Sequence, residues 1–92
     1  MIDKLDEANV LMISDKNCYY YIKTLGSDDV GIEICYFAIC RYDNSNKIYL
    51  FSCDANMNVE GDSIFDNIDD AIKCAESWSK IPIKWSHINI AN

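Results

Sequence analysis

The feature that most constrains the fold is one long apolar run, IEICYFAICRY, at residues 32–42. The run is rich in β-branched and aromatic side chains, and its only charged residues, Glu33 and Arg41, stand near its ends. Such a composition favours a strand, and a strand without alternating polar residues needs cover on both faces. We therefore predict a central strand that is buried on both faces for part of its length.

Shorter runs on either side predict the neighbouring strands. CYYYIKTL, at 18–25, lies between turn compositions and indicates a strand. KIYLFSC, at 47–53, follows the strong turn signal DNSN and is expected to form a hairpin with the central run. MNVEG, at 57–61, predicts a short fourth strand. LDEANVLMIS, at 5–14, fits a short helix or an edge strand, and we favour the edge strand.

The hydrophobic period changes after Gly61, where apolar and small residues recur at spacings of three and four. This spacing predicts one face of an amphipathic helix over about 66–80. The residues on that face are Ile68, Ala71, Ile72, Ala75, Trp78 and Ser79. We expect Asp66 or Asn67 to cap the N-terminus, and Pro82 prevents the helix from continuing.

The tail, IKWSHINI at residues 83–90, alternates again and predicts a closing strand. The predicted fold is therefore α+β: an antiparallel β-meander of four to six strands, one helix packed on one face, and a C-terminal strand. A chain of 92 residues is expected to form a single domain over 1–92. Its longest unbroken apolar run, residues 34–40, is far short of the ~20 residues that cross a membrane, so no membrane span is predicted.

The five cysteines are odd in number and include no C-x-x-C pair. We expect buried thiols in a reducing compartment. A cytoplasmic location fits this expectation, because the acidic start, MIDKLDE, is unlike a secretory signal. A zinc site needs four convergent ligands, and His87 is the only histidine. We therefore predict no metal, no cofactor and no catalytic thiol.

The segment CDANMNVEGD, at residues 53–62, places Asp54, Asn56 and Asn58 at alternate positions, as the start of a helix–loop–helix calcium site does. Counted from Asp54, the sixth position holds Val59 instead of glycine, and the twelfth holds Phe65 instead of a bidentate glutamate. Asp and Asn also favour tight turns. We therefore interpret this segment as a strand end followed by a turn.

The charge distribution is the most informative feature for function. The formal net charge is −7, and no basic residue lies between Lys47 and Lys73. Six carboxylates in that interval are predicted to form one acidic patch: Asp54, Glu60, Asp62, Asp66, Asp69 and Asp70. Such a patch repels nucleic acid and attracts a basic protein. Helix capping and solubility account for part of this charge without any partner.

The segment KIYLFSCDANMNVEGDSIFDNIDDAIKCAESW, at residues 47–78, resembles a group of small bacterial proteins. In that group a strand ending in cysteine–aspartate, a short polar turn, a second strand and a D-[S/N]-I-[E/D]-D-A helix start follow in order. The group is similar to the immunity proteins encoded beside polymorphic and contact-dependent growth inhibition toxins. Met57 departs from the pattern, which has an aromatic residue there, and the segment before Lys47 matches no such pattern.

The resemblance implies a stoichiometric inhibitor and not an enzyme. It would bind a cognate toxin domain, expected to be a basic nuclease, and neutralise it by blocking its active site. The six carboxylates would form the partner-binding surface, with Tyr19, Tyr21, Tyr49 or Trp85 as aromatic anchors. Two alternatives stay open: an acidic nucleic-acid-mimicking inhibitor of a DNA-handling enzyme, and a generic protein-interaction domain.

Overall fold

The computed structural model describes residues 4–23 and 31–88. Along the chain lie β1 (Lys4–Leu5), β2 (Ala8–Ser14), β3 (Tyr20–Lys23), β4 (Gly31–Ile34), β5 (Tyr36–Arg41), β6 (Ile48–Cys53), β7 (Val59–Phe65), α1 (Ile68–Trp78) and β8 (Trp85–His87). The main sheet is antiparallel and has the order β1-β2-β5-β6-β7, with β8 also paired to β2. The predicted α+β fold is confirmed. The ends of two predicted strands, residues 24–25 and 89–90, lie outside the described residues.

The central strand predicted within residues 32–42 is present as β5. It lies between β2 and β6, and residues 37–40 are all buried, so both of its faces are covered. The apolar run is nevertheless divided at Cys35, because β4 pairs with β3 in a separate two-stranded sheet. The Cys35 N–H donates to the carbonyl of Cys53, whereas its own carbonyl accepts from the N–H of Asn17. The backbone of Cys35 is thus shared between two neighbours, and the chain changes sheets there.

The N-terminal segment forms a strand, as favoured, but the prediction that it lies at the edge is wrong. β2 pairs with β5 on one side and with β1 and β8 on the other. Its alternate residues from Ala8 to Ser14 are buried, so the strand contributes to the core along its whole length. A strand with neighbours on both sides satisfies both rows of its backbone groups, which an edge strand cannot do.

Apolar side chains are buried on both faces of the sheet. On one face, Phe37, Ile39 and Leu50 pack with the two buried alanines of α1. On the other face, Val10 and Phe51 pack in a cluster that includes the thiols of Cys40 and Cys53. β5 and β6 therefore form the centre of the domain.

The helix has the predicted cap and a slightly shorter span than predicted. Asn67 is the N-cap: its side-chain oxygen accepts from the N–H of Asp70, with extended backbone at the cap. Ala71 and Ala75 are fully buried, and their small side chains let the helix lie close to the sheet. The helix ends at Trp78. No helix in the described part of the chain is long and apolar enough to cross a membrane.

Candidate functional site

Asp54 organises the turn between β6 and β7. Its carboxylate accepts hydrogen bonds from the backbone N–H groups of Asn56 and Asn58, both at 2.9 Å, and from Nδ2 of Asn58 at 3.1 Å. The bonds from Asn58, followed by the bond from Asn56, hold the pKa of Asp54 below its ordinary value. Met57 has a positive φ of 66°, a conformation that is uncommon for a residue other than glycine. The alternate Asp54–Asn56–Asn58 spacing is therefore turn chemistry, as interpreted from the sequence.

Glu60 lies beside Asp54 at the same end of β7. The nearby Asp54 carboxyl group raises the pKa of Glu60 above its ordinary value. Both carboxyl groups are in contact with solvent, so water moderates their repulsion. The pair concentrates negative charge where β7 begins, and Glu60 is the group of the two that takes a proton more easily.

β7 is longer than the predicted strand at 57–61, because it runs on to Phe65. Its exposure alternates strictly, and Glu60, Asp62 and Ile64 are its exposed residues. Asp62 lies opposite Phe51 and Ile64 lies opposite Tyr49 in the pairing with β6. Two carboxylates and then one apolar side chain therefore stand in a row on the exposed side of this strand.

Asp66 is paired with a lysine. Its carboxylate contacts Nζ of Lys47, which precedes β6, and this contact lowers the pKa of Asp66. Both side chains are largely exposed, so the pair contributes little to stability, and its main effect is to neutralise one carboxylate of the predicted patch.

The two acidic residues of the first helical turn have different local roles. Asp70 forms a reciprocal cap with Asn67, whose Nδ2 donates to a carboxylate oxygen of Asp70 at 3.2 Å. Asp69 is exposed. Both carboxylates complement the positive end of the helix dipole. Among the described residues, Asp62 and Asp69 have no hydrogen-bond or ion-pair partner for their carboxylates, so they are available to a ligand.

The six carboxylates do not form the single compact patch that was predicted. Glu60 and Asp66 lie at opposite ends of β7, six residues apart, which corresponds to about 20 Å in an extended strand. Asp54 lies with Glu60, and Asp69 and Asp70 lie beyond Asp66 in the helix that follows. The carboxylates instead follow the edge of the sheet. We call the row of Glu60, Asp62 and Ile64 on β7 the acidic edge.

The predicted aromatic anchors differ in exposure. Tyr19 is fully buried, and its hydroxyl lies 2.5 Å from the backbone carbonyl oxygen of Asp15 and 2.7 Å from that residue's carboxylate, so its assignment as an anchor is wrong. Tyr49 and Trp85 are partly buried. Tyr21 is 54% exposed, and the Lys80 ammonium lies 5.9 Å from its ring centroid.

Two exposed apolar side chains were not recognised from the sequence. Ile64 is 58% exposed, and Trp78, which was predicted on the inner face of the helix, is 40% exposed while packing against Tyr20. For Ile64 a signal existed, because EGDSIF at residues 60–65 places it in alternation with Glu60 and Asp62. Ending the predicted strand at Gly61 hid that alternation.

Of the five cysteines, three are buried, Cys74 is partly buried and one is exposed. Cys35, Cys40 and Cys53 are buried, as predicted, whereas Cys18 is exposed. Burial raises the pKa of Cys40 and of Cys53 to about 12, so both are neutral thiols at physiological pH. Cys18 lies near Glu33, whose carboxylate raises the pKa of Cys18. Within residues 4–23 and 31–88, no three His, Cys, Asp or Glu side chains are grouped as metal ligands.

Comparisons with known proteins found no relative of this chain: no protein-family model, no curated protein and no solved structure matches it. The resemblance carried by residues 47–78 therefore stays a prediction.

Proposed function

We propose that this chain is an immunity protein that binds a cognate toxin domain in the cytoplasm and neutralises it. The toxin domain is expected to be a basic nuclease, and inhibition is stoichiometric, by blocking of the active site. The observation that carries the proposal is the acidic edge and the helix start beyond it, where Asp66 is the one carboxylate paired with a lysine among the described residues. The pattern at residues 47–78 supports the same class of protein.

The charge placement suits a nuclease as partner. A nuclease holds phosphates with lysine and arginine side chains, and exposed carboxylates on an inhibitor are complementary to those groups. Glu60 and Asp62 are exposed side chains at successive outward positions, about 7 Å apart along the strand. Like charges on one surface also steer a basic partner over long range and raise the association rate at low salt.

A second candidate is the nucleic-acid mimic, which one specific observation favours. The exposed carboxylates run from Glu60 and Asp62 on β7 to Asp69 in the helix beyond the far end of that strand, whereas a compact patch would address a single pocket. An extended row of negative charge resembles a phosphate backbone. Such an inhibitor would act on several unrelated DNA-handling enzymes, whereas an immunity protein is specific for one toxin.

The direct test is rescue of cells. The gene immediately upstream is identified, the C-terminal domain that it encodes is expressed with and without this chain, and surviving cells are counted. Rescue by this chain alone supports the immunity function. Absence of rescue and of binding to the toxin domain contradicts it, and inhibition of several unrelated DNA-handling enzymes would then support the mimic.

The contribution of the acidic surface is tested by charge reversal. The triple variant Glu60→Lys, Asp62→Lys, Asp69→Lys is expected to bind the toxin domain about tenfold more weakly or worse, and mainly through slower association. The control for charge reversal as such is Glu76→Lys, at an exposed position of α1 outside this surface. Unchanged affinity in the triple variant would show that this surface does not bind the toxin.

A further inference from the structure

β7 is an edge strand of the main sheet. It is the last strand in the order β1-β2-β5-β6-β7, and among the described residues it pairs only with β6. An edge strand directs alternate N–H and C=O groups away from its one neighbour, and these groups can pair with a strand from another chain. With seven residues, β7 is long enough to form several such bonds.

The opposite edge of the sheet is much less suited to strand addition. There the outer strands are β1, with two residues, and β8, with three. The basic residues Lys4 and Lys84 lie in or beside these strands, and Pro82 precedes β8. Short strands, lysines and prolines are the usual means of blocking an edge. β7 contains neither lysine nor proline, and no second strand pairs with it within residues 4–23 and 31–88, so it is the edge better suited to a partner.

The acidic edge does not suit pairing between two copies of this chain. Antiparallel pairing centred on Asp62 would place that carboxylate opposite its own copy. Pairing centred on Gly61 would place Glu60 opposite Asp62 twice. Like charges directly opposite each other are destabilising in a sheet. A strand with basic residues at these positions would instead form favourable cross-strand pairs.

Ile64 adds an apolar position to the same row. It is 58% exposed and follows Glu60 and Asp62 at the same two-residue spacing. A strand that pairs with β7 therefore fits best when two basic side chains oppose the carboxylates and an apolar side chain opposes Ile64. This pattern of alternate basic, basic and apolar residues distinguishes the expected partner from a merely basic surface.

We propose that β7 binds its partner by strand addition: an extended segment of the toxin domain, with two basic residues and one apolar residue at alternate positions, pairs with the free edge of the sheet. The inference rests on the proposed immunity function and specifies its binding mode. Main-chain hydrogen bonds supply the continuous contact, and the side chains of the acidic edge select the segment.

The test is hydrogen exchange of individual backbone amides, measured by NMR on the labelled chain alone and bound to the unlabelled toxin domain. Strand addition predicts at least tenfold slower exchange at the alternate amides of β7 that point away from β6. The variant Ile64→Lys is expected to weaken binding at least tenfold. Its control, Ser86→Lys, places the same charge on the exposed side of β8 and is expected to change affinity less than twofold.

The outcomes separate the binding mode from the function. If the toxin domain binds and cells are rescued, but the β7 amides exchange as in the free chain, strand addition is wrong and the immunity function stands. If the free chain forms a dimer that itself protects these amides, the open-edge inference is also wrong. If neither rescue nor binding occurs, both proposals fail together.

Discussion

The hydroxyl oxygen of Ser14 accepts a hydrogen bond from the backbone N–H of Phe37 at a distance of 2.8 Å. Both residues are buried, and they lie where β2 and β5 begin to separate. Backbone pairing between β2 and β5 ends at Ile13 and Ala38, so the Ser14 side chain supplies the acceptor for the N–H of Phe37. One hydroxyl thus completes the junction between two strands that diverge.

Removal of that hydroxyl is expected to destabilise the domain. Ser14→Ala leaves the buried N–H of Phe37 without its acceptor, which costs roughly 1–3 kcal/mol in the free energy of unfolding. Urea unfolding followed by tryptophan fluorescence measures the loss. Ser86→Ala, at an exposed position of β8, is the control and is expected to stay within about 0.5 kcal/mol of the parent chain. Equal stability of the two variants would show that the Ser14 bond contributes nothing.

The helix cap makes a second prediction. Asn67→Ala removes the acceptor for the N–H of Asp70 and is expected to lower the free energy of unfolding by about 0.5–2 kcal/mol. Asn67→Ser keeps a side-chain oxygen at the cap and should retain most of the stability. Denaturant midpoints of the three proteins provide the comparison. A serine variant as unstable as the alanine variant would contradict the capping role.

In the folded chain the pKa values of Asp54 and Glu60 are shifted in opposite directions from their ordinary values. Asp54 has a lowered pKa in the folded chain, so the stability it contributes is full above its unfolded pKa and is lost as the pH falls through the lower, folded value. Glu60 has a raised pKa, so its ionised form weakens the fold, and this effect disappears as the pH falls through the folded pKa.

Carboxyl-carbon NMR tests this coupling. In Asp54→Asn, the pKa of Glu60 is expected to fall towards the ordinary glutamate value of about 4.3. Asp62→Asn removes a charge from the same strand without touching the Asp54 turn, and it should leave the pKa of Glu60 nearly unchanged. A larger shift in Asp62→Asn than in Asp54→Asn would contradict the assigned cause.

Thiol reactivity should separate the cysteines of the folded chain. At pH 8, iodoacetamide is expected to modify the exposed Cys18 first and to spare Cys40 and Cys53, whose thiols are buried and neutral. Glu33→Gln removes the carboxylate that raises the pKa of Cys18, so alkylation of Cys18 should become faster. Peptide mass spectrometry measures each rate, and Glu76→Gln is the control. An unchanged Cys18 rate in Glu33→Gln would contradict the effect of the carboxylate.

The elements that could be predicted from the sequence are those whose residues favour one structure strongly. β5 lacks polar residues at its centre, and the residues of α1 recur with a helical period. β7 was predicted too short because Gly61 and Asp62 have the composition of a turn. In the fold Gly61 pairs opposite Ser52, and a Cβ on it would meet Ile22 at an ordinary contact distance of 3.6 Å, with no tighter contact among the described residues. The pairing with β6 therefore extends β7 through Gly61 and Asp62, against their local preference for a turn.

The arrangement of the six carboxylates could not be predicted from the sequence. Nearness along the chain suggested that the carboxylates from Asp54 to Asp70 would meet. An extended strand of seven residues between them places the two ends far apart, and only the length of β7 decides this. The ion pair of Asp66 with Lys47 also comes from the fold, because a contact between the ends of two paired strands depends on geometry that charge patterning does not contain.

The division of the apolar run at Cys35 has a consequence for how the chain folds. Because the β3 and β4 hairpin is inserted between β2 and β5, these neighbours in the sheet are distant in sequence. β5, β6 and β7 follow one another through short turns and can pair early, while β2 must close a long loop before it gains its contacts. The N-terminal strand, with β1 and β8 attached to it, is therefore expected to join last and to be the first part to separate when the domain is destabilised.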